Sequence, residues 1–80
     1  MADVPVEWLK APVSVAEIDA ELGGSSFREA WQKLKGRMRP GDTILRFESS
    51  AASWEDLSGR AGIALVRDGE AIDAIVTLMN

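Results

Sequence analysis

The sequence predicts a single small α+β domain, 1–80: two N-terminal helices, then a three-stranded antiparallel sheet, in the order α-α-β-α(short)-β-β, with the second helix packed on one face. Three observations predict it. Asp68-Gly69 stands between two alternating apolar runs, the signal of a two-residue hairpin whose central residues both take positive φ. Ser14 with Glu17, and Ser26 with Glu29, form S-x-x-E boxes that each precede an apolar stripe of helical period. Pro40-Gly41 then separates the second stripe from a segment rich in β-formers, Thr43, Ile44, Leu45 and Phe47.

Residues 1–13 read as an extended arm. Val4, Val6 and Trp8 alternate like a strand, but Pro5 and Pro12 prevent long regular structure. Trp8 is expected to tuck against the domain, because an indole carries a large apolar area. The first helix follows Ser14, with Val13 stapled onto Ile18, a stripe of Val15, Ile18 and Leu22, and a left-handed stop at Gly23-Gly24. The second follows Ser26 and places Phe27, Ala30, Trp31, Leu34 and Met38 on one face. Pro40-Gly41 must end it.

The first strand is expected over 42–48, with Leu45 and Phe47 as its buried pair and Arg46 and Glu48 turned outward. Ser53 to Leu57 reads as one short capped helical turn with Trp54 and Leu57 facing inward. A two-residue loop at Asp68-Gly69 then fixes the register: Arg67 faces Glu70, Leu65 faces Ile72, Ile63 faces Ala74 and Ala61 faces Val76. The core face is therefore expected to carry Ile63, Leu65, Ile72, Ala74, Val76 and Leu78. Ala64, Val66, Ala71, Asp73, Ile75 and Thr77 would form a small, mixed opposite face.

The chain holds neither histidine nor cysteine, which removes Ser-His-Asp and Cys-His nucleophile systems and the usual zinc sites. No cofactor or metal is expected. A cysteine-free chain fits a reducing cytoplasm, and no targeting signal or membrane span is visible. The net charge is −4, unevenly placed: up to Gly24 the only base is Lys10, whereas 25–46 holds six bases against Glu29 and Asp42. Such a division suits internal complementarity between acidic segments and a basic middle helix.

The serines lack any S-x-x-K spacing and several lie where helix caps are needed, and Glu55 with Asp56 suits a short helix by its dipole, so neither group requires a catalytic role. Arg28, Lys33, Lys35, Arg37 and Arg39 fall on both flanks of the apolar stripe and make no single patch. Lys35, Arg37, Arg39 and Arg46 still have a corner in common, where an anion or nucleic acid would bind. Gly59-Arg60-Ala61-Gly62 permits a backbone nest for an anion, or plain turn geometry. Trp8, Trp31 and Trp54 are core or arm anchors, or binding hot spots wherever one is exposed.

The strings Gly41-Asp42-Thr43-Ile44-Leu45-Arg46-Phe47, Ser53-Trp54-Glu55-Asp56-Leu57, Gly59-Arg60-Ala61-Gly62, Val66-Arg67-Asp68-Gly69 and Thr77-Leu78-Met79-Asn80 resemble a group of short bacterial proteins of unassigned function. The resemblance covers the second half of the chain and implies no activity. It directs attention to Trp54, Arg60 and Arg67, for the last of which a cross-strand pair with Glu70 is the structural explanation.

The function expected from the residues is that of a non-catalytic protein that binds another protein or itself, by the mixed sheet face or a free sheet edge. A nucleic-acid or anion module using the Lys35–Arg46 corner is the first alternative. A small enzyme using carboxylates and Arg60 is the second.

Overall fold

A computed structural model describes residues 4–80. A short 3-10 turn (Val6–Trp8) leads into β1 (Leu9–Val13), followed by α1 (Val15–Leu22), α2 (Arg28–Gly36), β2 (Thr43–Glu48), α3 (Ala51–Glu55), β3 (Arg60–Arg67) and β4 (Glu70–Met79). The sheet is antiparallel throughout and its strands lie in chain order, β1-β2-β3-β4. It has four strands where three were expected. The fourth comes from the arm, whose residues 9–13 pair with β2 through Leu9–Phe47 and Val13–Ile44, with a bulge between Leu9 and Pro12. The arm's first three residues lie outside the described ones.

Local chemistry accounts for most element ends. Ser14 Oγ accepts the Glu17 N–H at 3.1 Å and starts α1. Ser26 caps nothing; Ser25 Oγ instead accepts the Phe27 N–H at 3.1 Å, and α2 begins after Phe27. Gly23 closes α1 in right-handed conformation, so no left-handed stop is used there. The bend after α2 is a tight turn in which Asp42 N–H reaches Arg39 O at 3.0 Å, with Pro40 supplying its fixed φ and Gly41 the positive φ of 92°.

Both faces of the sheet are apolar. On one side α1 and α2 cover Ile44, Ile63, Leu65 and Ile75 with Ile18, Leu22, Trp31 and Leu34. Helix α2 thus packs on the sheet as its stripe requires, although Ala30 faces solvent. On the back, Phe47, Ala64, Val66 and Ala71 form a second cluster, joined by Leu45, Ala74 and Val76 and covered by Val4, Trp8 and Leu9. Trp8 stacks on Phe47 with ring centroids 6.4 Å apart, as its apolar area demanded.

The hairpin turn forms as expected, with Asp68 at φ 53° and Gly69 at φ 80°, and Arg67 faces Glu70. Beyond Ala71 the expected register fails. Ile72 is an extra residue in β4, so Leu65 faces Asp73, Ile63 faces Ile75 and Gly62 faces Val76. The slip exchanges faces: Ile75 joins the helix side, while Ala74 and Val76 go to the back. Thr77 is a second extra residue, which brings Leu78 opposite Ala61. In β2, Leu45 and Phe47 share a face as expected, but it is the back; Ile44 serves the helix side.

Candidate functional site

The expected basic corner is pinned inward by carboxylates from other elements. Lys35 Nζ meets Asp19 Oδ1 at 2.8 Å, Arg37 meets Asp73 at 2.8 Å and Arg46 meets Glu21 at 2.7 Å. Asp19 also accepts the Trp31 indole N–H at 2.7 Å, and these two bonds, Lys35 first, hold its carboxyl below the usual range. Arg39 makes no ion pair among the described residues; its N–H donates to Asp42 at 2.9 Å. The corner is a set of ties between helices and sheet.

Arg67 is tied in the same way, though not to Glu70. Its guanidinium grips Asp42 with two parallel bonds, Nε to Oδ1 at 2.9 Å and Nη2 to Oδ2 at 2.8 Å. This links the β3–β4 turn to the loop that leaves α2. Arg67 and Arg60 stand at opposite ends of β3, about 23 Å apart at ~3.3 Å per residue. The residues singled out from the sequence therefore divide, with Trp54 and Arg60 at one end of the sheet and Arg37, Arg39 and Arg67 near the other.

The Trp54 end is built by α3 and the C-terminal residues. Ser50 Oγ accepts the Ser53 N–H at 3.3 Å, and α3 stops in a Schellman turn, with Ser58 N–H on Ser53 O at 2.8 Å and Leu57 N–H on Trp54 O at 3.3 Å. Leu57 occupies the left-handed position of that turn, φ 61°, and is 75% exposed. It does not face inward as expected. The Trp54 indole lies so close over Gly59 that a Cβ there would sit 2.1 Å from the ring, and its Nε1–H is buried with no acceptor among the described residues.

Asn80 clips the same loop. Its Oδ1 accepts the Gly59 N–H at 2.8 Å, and its Nδ2 donates to Trp54 O at 2.7 Å. Trp54 O thus receives bonds from both Leu57 and Asn80, which brings Leu57 and Met79 to one place. Among the described residues, the exposed large apolar ones are Val6, Leu57, Leu78 and Met79: Leu78 and Met79 pair with Ala61 and Arg60, and the turn holding Val6, before the opposite edge strand, ends at Trp8, which shares a concavity with Ser49, Ser50 and Ala51. Sequence reasoning missed Leu57 and Met79. The absence of Gly at position 57 gives no hint of a left-handed turn.

Arg60 is exposed and makes no ion pair among the described residues. Its N–H donates to the buried Ser49 hydroxyl at 2.9 Å, which fixes the start of β3. On the back face, Arg60, Asp73, Trp8, Phe47, Ala74 and Val76 line a concavity of about 240 Å³, the Asp73 carboxylate itself being turned to Arg37 on the helix side. Glu55 and Asp56 are exposed beyond α3 and do not line it. Among the described residues no three acidic side chains gather as metal ligands, and no helix is long and apolar enough to cross a membrane. No protein-family model, curated protein or solved structure matches this chain.

Proposed function

We propose that this chain is a non-catalytic protein that binds another protein, through the sheet end formed by α3, the loop after it and the end of β4. One observation carries the reading: the exposed large apolar side chains Leu57, Leu78 and Met79 lie at that end, near Trp54 and Arg60, while Val6 precedes the opposite edge strand. Large apolar groups gathered at one place mark contact surfaces. The sheet edges suit the role less. Edge β1 carries Pro12 and a bulge, and edge β4 carries two bulges and the Asp73 carboxylate, which accepts the adjacent Ala74 N–H at 2.8 Å. The nucleic-acid alternative is disfavoured because Lys35, Arg37 and Arg46 are already paired with carboxylates.

The test is affinity capture from a lysate of the native host, with nuclease present, using the tagged chain beside a Leu57→Asp, Met79→Glu variant whose fold is verified by circular dichroism. A protein retained in near-stoichiometric yield by the parent and lost by the variant supports the reading. Equal recovery from both overturns it.

A further inference from the structure

Leu57 is held in a backbone conformation that disfavours it and is left in water, two costs that packing does not explain and that binding does. Glu55 and Asp56 precede it in the chain, both exposed and without an ion pair among the described residues. An apolar knob flanked by carboxylates fits an apolar hollow flanked by a cation. The chain carries such a hollow on the back of its own sheet, walled by Trp8, Phe47, Ala74 and Val76 with Arg60 among its lining residues.

Size and charge both agree. A cavity of ~150 Å³ admits a benzene molecule, so a concavity of about 240 Å³ takes a leucine side chain. Asp73, the other charged lining residue, has its carboxylate occupied by Arg37 at 2.8 Å and by Ala74 N–H at 2.8 Å. Arg60 remains the charge that a visiting acidic group meets. Leu57 precedes Arg60, a lining residue of the hollow, by three residues, so knob and hollow are near enough for one two-fold axis to relate the two contacts.

Resting on the protein-binding reading above, we propose that the partner is a second copy of this chain. Leu57 of each copy enters the Trp8–Phe47–Val76 hollow of the other, with Glu55 and Asp56 drawn to Arg60, and the assembly closes at two. A standard interface takes about 800 Å² from each partner, roughly a sixth of the 5070 Å² accessible here, so the contact extends beyond the knob to neighbours such as Met79.

The chain has no cysteine, so single-cysteine variants report the contact without background. Leu57→Cys mixed with Ala74→Cys under mild oxidation is expected to give a disulfide-linked heterodimer in severalfold excess over the dimers that either variant forms alone. Sedimentation equilibrium of the untagged chain is expected to show a monomer–dimer equilibrium, shifted at least tenfold toward monomer by Leu57→Gly, a change that relieves the backbone and leaves the fold intact. Arg60→Glu is expected to weaken the dimer, and Glu55→Arg with Asp56→Arg to restore it. A parent chain that stays monomeric or forms open-ended polymers overturns the proposal, as does a Leu57→Gly variant that dimerises like the parent. A monomer whose captured partner depends on Leu57 removes the second copy alone. Capture that ignores Leu57 removes the wider reading as well.

Discussion

Arg67 and Asp42 meet as a fork on a fork, two parallel bonds of 2.9 and 2.8 Å, with the Asp42 side chain only 2% exposed. The Arg67 guanidinium, then the Arg39 N–H, lower the Asp42 carboxyl from 3.8 to about 2. A depressed carboxyl stabilises the fold above its unfolded value, and that stabilisation is lost as pH falls through the folded value. Asp19 is shifted in the same direction by Lys35 and Trp31.

Acid should therefore unfold the chain most steeply between about pH 4 and pH 2. Urea midpoints measured across this range will fall for the parent. Asp42→Asn, weaker than the parent at neutral pH, will show a shallower fall. Parallel curves for the two would remove Asp42 from the acid transition.

Gly62 and Gly69 are glycines for different reasons, and substitution separates them. A Cβ at Gly69 meets open space but inherits φ 80°, so Gly69→Ala should cost about 1 kcal/mol. A Cβ at Gly62 would lie 1.9 Å from the Ile75 carbonyl oxygen, so β3 and β4 must part to admit it. Gly62→Ala should cost about 2 kcal/mol or more, read from the denaturant midpoint. The reverse order would refute the β4 register.

At protein concentrations where the parent is monomeric, Leu57→Gly should stabilise the fold. It relieves a left-handed leucine, worth about 1 kcal/mol, and removes an exposed side chain that contributes little packing. A lower denaturant midpoint in the variant would show that Leu57 packs after all.

Trp8→Ala should cost about 2 kcal/mol, less than a fully enclosed tryptophan because Trp8 is half-buried over Phe47. Near-ultraviolet circular dichroism should lose intensity at the same time. An unchanged midpoint would mean that the back face holds without its cover.

The parts visible in the sequence are those set by a few neighbouring residues. The Ser14 cap, the Pro40-Gly41 turn before β2, the Asp68-Gly69 turn and the burial of Trp31 and Leu34 need only local chemistry and one period, although α2 ends at Gly36, ahead of the stop expected at Pro40-Gly41. What was missed depends on residues distant in sequence. Leu9–Val13 becomes a strand because Thr43–Glu48 offers it an edge, and Pro12 is tolerated because the strand is outermost. The extra residue at Ile72 turns Asp73, a charge in an apolar run, to the helix side, where it meets Arg37 at 2.8 Å. Of the candidate site, Trp54 and Arg60 were visible as residue types. Leu57 was placed inward because an apolar residue after a short helix ordinarily packs there.

The pairing of β1 with β2 across two helices also sets a timetable. Joined by two residues, β3 and β4 need close only a short loop, an event of ~1–10 μs in isolated hairpins. Leu9–Val13 must instead wait for both helices and for Phe47. On the ribosome, Trp8 is made well before Phe47 and stays wet until about forty residues have followed it. The aromatic lid on the back of the sheet is thus made before the strands it covers and is among the last parts put in place, and the Trp8 signal in a chain lacking Trp31 and Trp54 marks the completion of folding.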